Sequence, residues 1–155
     1  MHRRFIVSEP DKCIGCRICD LVCSLTKEKG FNPLLSRIRS IRIEPADNIS
    51  ITCLMCEDPS CVKSCPRSAL SKDMETGIIH VNEDKCNGCA WCIESCEFGA
   101  IILHPTKNTV KICDLCDGAP KCIQYCPRDA LMFVTTEEIS QKARKKLAKI
   151  FAEKL

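Results

Sequence analysis

Sixteen of the 155 residues are cysteine, and all of them fall into four groups of four. The groups read Cys13-x2-Cys16-x2-Cys19-x3-Cys23, Cys53-x2-Cys56-x4-Cys61-x3-Cys65-Pro66, Cys86-x2-Cys89-x2-Cys92-x3-Cys96 and Cys113-x2-Cys116-x5-Cys122-x3-Cys126-Pro127. Runs this short let the backbone wrap a metal–sulfur cube: three thiolates of one run grip a cube, and the fourth grips its neighbour. At four thiolates per cube, sixteen cysteines make four [4Fe–4S] clusters.

Two other uses of cysteine fit less well. A disulfide scaffold needs an oxidising compartment. The stretch 1–10 has an apolar run of only three residues, Phe5-Ile6-Val7. Arg3-Arg4 hints at a twin-arginine signal, but the first ligand at Cys13 leaves no room for its apolar region. The expectation is a cytoplasmic chain with reduced thiols. Structural zinc uses C-x2-C pairs separated by a longer loop. Here Cys13, Cys16 and Cys19 form a triplet, as do Cys86, Cys89 and Cys92.

Aromatic residues make up 5% of the chain, so the conventional apolar core must be thin. Small scaffolds of that kind lean on metal for stability. The formal charge of +3 counts cysteine as neutral. Coordinated thiols are deprotonated, so each oxidised cluster site carries about −2, and four bring the loaded chain to about −5. The basic sequence pI is therefore no argument for nucleic acid. No stretch approaches the roughly 18 apolar residues of a membrane span.

The groups form an internal repeat of two types. The first and third follow a strand-like lead, Phe5-Ile6-Val7 or Ile78-Ile79-His80-Val81, and carry Asp-Lys-Cys-x-Gly-Cys. The second and fourth end in Cys-Pro-Arg-x-Ala-Leu. Hairpins are expected at 37–44 with 49–52, at Leu70 with Ile78, and at 101–103 with 110–112. The spacer 24–52 is the longest and the best placed to touch something outside the cluster core. Thr135-x-x-Glu138 reads as a capping box. Ile139, Ala143, Leu147, Ile150, Phe151 and Leu155 then recur at helical spacing, with Lys142, Arg144, Lys145, Lys146 and Lys149 around them. Such an amphipathic helix can pack on its own body, dock on a partner subunit or lie on a membrane surface.

Gly15 and Gly88 sit where the wrap round a cube calls for a positive φ. Pro66 and Pro127 fix the exit after the last ligand, where the other groups have Ser24 and Glu97. Glu97 puts a negative charge near a cluster and should lower its potential. Trp91, between Cys89 and Cys92, reads as packing beside a cube. His2, His80 and His104 read as plain surface or hairpin residues. No Gly-rich phosphate loop and no nucleophile–base pair can be picked out, so the catalytic set is none and the chain is not expected to be an enzyme by itself.

With four groups in this order, the chain resembles the four-cluster iron–sulfur subunits of the dimethyl sulfoxide reductase type. It is also similar to small ferredoxin-like subunits of carbon monoxide dehydrogenase, hydrogenase, formate-hydrogenlyase and tungsten aldehyde oxidoreductase systems. Phe31-Asn32-Pro33 with Ser36-Arg37-Ile38 is similar to a stretch in the aldehyde oxidoreductase and carbon monoxide dehydrogenase subunits. The resemblance implies an α+β fold of two ferredoxin-like (bacterial two-cluster) units with short β-hairpins and a C-terminal helix. It divides the chain into a double ferredoxin-like domain over 1–135 and a helix over 136–155.

The resemblance also implies a ligand pairing of first group with fourth and second with third. One cluster then takes Cys13, Cys16, Cys19 and Cys126, and the next Cys23, Cys113, Cys116 and Cys122. The third takes Cys86, Cys89, Cys92 and Cys65, and the last Cys53, Cys56, Cys61 and Cys96. Phe5 to Val7 could then pair with Leu131 to Val134. A simple tandem would use the same sixteen ligands, and spacing leaves it open.

Three functions follow. The first is an electron-transfer subunit of anaerobic metabolism, fixed to a larger catalytic redox subunit, a tungsten or molybdenum pterin enzyme such as an aldehyde oxidoreductase, and passing electrons to a further subunit or ferredoxin. Its partner can alternatively be a carbon monoxide dehydrogenase or hydrogenase. The others are a free polyferredoxin carrier and a cluster-delivery or assembly factor. Four clusters favour a fixed wire, because a diffusing carrier needs only one or two.

Overall fold

The computed structural model describes residues 3–152, so His2 and Leu155 lie outside the described residues. The side chains of Lys146, Lys149, Ile150 and Phe151 do too. The architecture is α+β, with four two-stranded antiparallel sheets and helices set between them.

Strand β1 (Arg4–Ser8) pairs with β8 (Leu131–Thr135), joining the two ends of the cysteine-bearing region. Phe5 faces Val134, Ile6 faces Phe133 and Val7 faces Met132. All but Met132 are β-branched or aromatic residues that suit a half-buried sheet, and Ile6 is 2% exposed. The expected pairing of these two segments is what the structure has. The other three sheets are local hairpins: β2 (Arg39–Ile43) with β3 (Asp47–Ile51), β4 (Leu70–Lys72) with β5 (Ile79–Val81), and β6 (Ile102–Leu103) with β7 (Val110–Lys111). In the β4–β5 turn the Asp73 carboxylate accepts from the Glu75 and Thr76 amides at 2.7 and 3.0 Å. This Asx-type turn leads into Gly77 at φ 76°.

A helix follows the middle of each cysteine group. Three of them are single turns: α2 (Ser60–Lys63), α3 (Trp91–Glu94) and α4 (Lys121–Gln124). Their brevity follows from the sequence. Pro66 and Pro127 disfavour helical backbone just before them, and Gly99 turns left-handed at φ 59°. The first group has no such breaker. There α1 (Ile18–Glu28) runs eleven residues, straight through Cys23, until Lys29 turns left-handed and donates back to Leu25 O. A single 3-10 turn (Pro33–Leu35), capped by the Asn32 side chain, brings the chain round to β2.

Helix α1 packs on α4 and α2 on α3. The second contact includes a 2.7 Å hydrogen bond between the Ser64 and Ser95 hydroxyls. Asp20, fully buried in α1, accepts from the Ser40 amide at 3.0 Å and from Arg17 Nε at 3.2 Å, tying β2 to the helix. Burial pushes its carboxyl up against the pull of Arg17 and the Ser40 amide. Ile6, Ile38, Met55 and Val110 centre a core in which buried cysteines supply much of the remaining surface.

Helix α5 (Thr136–Ala152) begins directly after β8. The capping box forms as expected: Glu138 accepts from the Thr135 amide at 2.7 Å, and the Thr135 hydroxyl accepts from the Glu138 amide at 3.2 Å. Ile139 packs on the core and Lys142 pairs with Glu9. Ala143 and Leu147, farther along the stripe, are exposed. Among the described residues, no helix is long and apolar enough to cross a membrane.

Candidate metal centres

The ligand loops share one backbone device. In the first and third groups Gly15 and Gly88 turn left-handed at φ 67° and 70°, and Arg17 and Ala90 do so again at φ 61° and 68°. A hairpin tip closes over each glycine. A Cβ on Gly15 would lie 2.3 Å from Asn48 Oδ1, and one on Gly88 would lie 3.1 Å from the Asn108 carbonyl. The equivalent positions of the second and fourth groups are Met55 and Leu115, also left-handed at φ 49° and 57°. A left-handed non-glycine costs about 1–2 kcal/mol. Burying such a side chain returns about 1.5–3 kcal/mol, and Met55 and Leu115 are 0% and 4% exposed. Nothing in the spacing of the cysteines distinguishes these two residues.

The folded loops gather twelve of the thiols round three cavities. Cys13, Cys16, Cys19 and Cys126 line one cavity, with Arg17 and Arg128 in its wall. Cys65, Cys86, Cys89 and Cys92 line a second, beside Arg67. Cys23, Cys113, Cys116 and Cys122 line a third, with Lys27, Arg37 and Lys121. Of the remaining four, Cys61 is raised by burial and by the charges of Cys96 and Cys56, and Cys53 by burial and by the charges of Cys113, Cys61 and Cys56. Shared and packed helices link the sets: α1 carries both Cys19 and Cys23, and α2, with Cys61, packs on α3, with Cys92. The charge of Cys113 raises the Cys53 thiol, which couples the two inner sets. Cys16 and Cys89, in the two end sets, are the exposed thiols.

Such donor sets fit iron–sulfur clusters. All donors are soft sulfurs. Among the described residues, no three of His, Cys, Asp and Glu converge closely enough for a single ion; in three sets the sulfurs line a cavity instead, which suits a cofactor several atoms across. Backbone amides also point at them. The amides of Ala69, Ala130 and Arg37 donate to the sulfurs of Cys65, Cys126 and Cys23 at 3.2, 3.3 and 3.3 Å. Hydrogen bonds of this kind set cluster potentials.

Burial pushes the Cys53 thiol up to about 12, and those of Cys19, Cys92 and Cys113 up to about 11. Cys122 is driven up by burial and then by the charge of Cys113 and Cys23. At Cys65 burial pulls upward, but the Ala69, Arg67 and Leu70 amides outweigh it and hold the thiol below its ordinary value. Free thiols pushed up in this way stay protonated near neutral pH. Metal binding is what deprotonates them, and it releases protons.

A group of charges adjoins the Cys23 set. Asp114 accepts from Arg37 Nη1 at 2.7 Å and from Lys27 Nζ at 2.8 Å. Burial pushes the Asp114 carboxyl up, and Lys27 and Arg37 overcome that to hold it below the usual carboxylate range. Glu28 faces Arg37, Lys111 and His104 at 3.7, 3.9 and 3.8 Å, and Lys111 also pairs with Glu83.

Other expectations are modified. His104 is a hairpin residue but is not on the surface. It is 7% exposed, and its Nδ1 accepts from the Thr106 and Lys107 amides at 3.2 and 3.1 Å, shaping the β6–β7 turn. Trp91 does not pack inward: as the first residue of α3 it is 64% exposed, while Cys92 takes the inner face. The spacer 24–52 splits its roles, burying Ser24, Ser36, Ile38 and Ser50 and exposing Phe31, Leu34, Ile41 and Ile43.

The 4Fe-4S dicluster domain family matches residues 46–136. The aliphatic sulfonate oxidoreductase polyferredoxin-like subunit of Pyrococcus furiosus is 44% identical over 137 residues, covering 86% of this chain and 79% of that protein. The electron transport protein HydN of Escherichia coli (strain K12) is 32% identical and covers 96% and 99%. The NADH-dependent phenylglyoxylate dehydrogenase subunit beta of Aromatoleum evansii is 36% identical, and the chain spans 31% of its length. Among solved structures, the active site complex BamBC of benzoyl coenzyme A reductase as isolated contains a chain that superposes with a TM-score of 0.51 at 20% identity, covering 99% of this chain and 97% of that one. The chain therefore belongs to the 4Fe-4S dicluster domain family, as an electron-transport protein of ferredoxin-like type with multiple [4Fe–4S] clusters.

Proposed function

We propose that the chain is the electron-transfer subunit of a larger oxidoreductase and holds four [4Fe–4S] clusters in two ferredoxin-like units. Groups one and four form one unit, groups two and three the other, within 1–135, and 136–155 is the C-terminal segment that carries the amphipathic helix Thr136–Ala152. Cys13, Cys16, Cys19 and Cys126 hold the first cluster; Cys23, Cys113, Cys116 and Cys122 the second; Cys53, Cys56, Cys61 and Cys96 the third; Cys65, Cys86, Cys89 and Cys92 the fourth. The bound clusters supply one-electron redox chemistry. The protein's own groups position them, exclude water and donate N–H to sulfur.

The observation that carries this reading is the run of thiol sets, with Cys23, Cys53, Cys113 and Cys122 buried in its middle and Cys16 and Cys89 exposed at its ends. Two accessible ends joined by an insulated middle suit a relay between two partners. The favoured catalytic partner is a tungsten or molybdenum pterin enzyme of the dimethyl sulfoxide reductase or aldehyde oxidoreductase type. The family resemblance of the Phe31 to Ile38 stretch supports that choice. The 44% identity to a subunit of another oxidoreductase supports the wider class. A further subunit or ferredoxin takes or supplies the electrons at the other end. We place the complex in the cytoplasm, where thiols stay reduced.

The test is anaerobic purification of a tagged chain from its native host. The reading expects a co-eluting catalytic subunit, bound tungsten or molybdenum, and a mass well above 17.4 kDa. Elution as a monomer that reduces many unrelated enzymes would favour a free polyferredoxin carrier. Transfer of iron and sulfide to apo-acceptors would favour a delivery factor.

A further inference from the structure

In the second and fourth groups the amide that meets the last thiol is local. Ser68 and Asp129 turn left-handed, and the next residue, Ala69 or Ala130, donates to the cysteine four residues back. In the first group α1 runs through Cys23, so no local turn can supply that amide. The donor is Arg37, fourteen residues away, whose amide meets Cys23 Sγ at 3.3 Å.

The side chain of Arg37 stands in the wall of the same cavity. Its Nη1 binds Asp114, which follows the ligand position Cys113, and its Nη2 lies 3.7 Å from Glu28. Its Nε is buried and has no hydrogen-bond partner within the protein. A buried N–H of a guanidinium left unpaired is costly. A sulfur-rich anion in the cavity would supply the missing acceptor.

We propose that Arg37 is a positioning residue for the cluster held by Cys23, Cys113, Cys116 and Cys122: its amide and its Nε–H both donate to the sulfurs of that site and raise its reduction potential. The inference rests on the ligand set proposed above. One-electron reduction takes such a site from about −2 to about −3. A fixed cation and N–H donors stabilise the more negative form, and no proton needs to move. Asp114 offsets part of the charge of Arg37 and Lys27 and fixes the fork in place.

The test is a redox titration of the anaerobic, iron-loaded full chain, followed by electron paramagnetic resonance, with iron content measured alongside. The signal to follow is the one that Cys116→Ser abolishes. In Arg37→Gln the reduced form of that cluster should become about tenfold less favoured, a downward shift of about 59 mV for one electron. Arg37→Lys keeps the charge but loses the Nε–H and should shift it less. The remaining signals should stay in place. An unchanged potential in both variants at full iron content would overturn the proposal. Loss of iron from both would overturn it too, by making Arg37 a residue of folding. If Cys116→Ser altered no signal, the ligand set itself would fail and the inference with it.

Discussion

The first and third cysteine groups begin alike and end differently. Both follow Cys-x-Gly-Cys-x-x-Cys, both turn left-handed at the glycine and again two residues later, and both tuck that glycine beneath a hairpin tip at Asn48 or Asn108. After the fourth cysteine they diverge. Beyond Cys96 the chain meets Gly99 and enters a short hairpin. Beyond Cys23 nothing breaks the helix until Lys29 and Gly30, and α1 extends by two turns. The consequence reaches the metal site: the second and fourth groups meet their last thiol with a local amide, from Ala69 and Ala130, whereas the first takes its donor, Arg37, from across the spacer. Ligand spacing thus governs the loop, while a breaker beyond the last ligand, present as Gly99 in the third group and missing from the first, governs what surrounds it.

That comparison can be broken by exchanging the breakers. Ser24→Pro puts into the first group the proline that the second and fourth carry. It lies inside α1, so it should destabilise the chain by about 3 kcal/mol or more. Glu97→Pro, outside α3 and at the place of Pro66 and Pro127, should stay within about 0.5 kcal/mol. Denaturant unfolding of the anaerobic, loaded variants measures both. Equal effects would mean that the continuation of α1 does not depend on the missing proline.

The glycines sharpen the likeness. Gly15→Ala and Gly88→Ala should each lose about 1–2 kcal/mol from the left-handed backbone alone. Their neighbours differ. The Gly15 clash is with the Asn48 side chain, so Asn48→Ala should recover the steric part. The Gly88 clash is with the Asn108 backbone, so Asn108→Ala should recover nothing. Double-mutant cycles by thermal unfolding would show the difference.

A smaller effect concerns the packing of α2 on α3. Ser64→Ala removes the hydroxyl pair with Ser95 and should cost about 1 kcal/mol. Val22 occupies the corresponding place in α1, so Val22→Ala should respond as a lost apolar contact, without any hydrogen-bond component. The smallest effect on cluster content is expected from the tail. A chain ending at Thr135 should keep its full iron but bind its catalytic partner more weakly. High salt should weaken docking made through Lys142, Arg144 and Lys145, since exposed charges are screened over about 8 Å at physiological ionic strength. Loss of iron on truncation would make α5 part of the body.

Much of this was legible in the sequence because thiolate spacing and β-propensity are local signals. The hairpins, the positive φ at Gly15 and Gly88 and the Thr135–Glu138 capping box could all be read from short patterns, whereas the β1–β8 pairing followed only from the family resemblance. The length of α1 was harder, because the deciding feature is the absence of a breaker after Cys23. Met55 and Leu115 were invisible: their unfavourable backbone is offset by burial among residues distant in sequence. The roles of Arg37 and of His104 depend on tertiary neighbours, Asp114 and Glu28, that no spacing rule connects.

The central claim is that both halves are loaded, the one built on groups one and four and the one built on groups two and three. Anaerobic iron and acid-labile sulfide analysis of the purified chain tests it most directly. Four cubes on sixteen cysteines require about 16 iron and 16 sulfide per chain. About 8 of each would mean that only half of the thiol sets hold clusters, and stoichiometric zinc with iron near zero would contradict the account altogether.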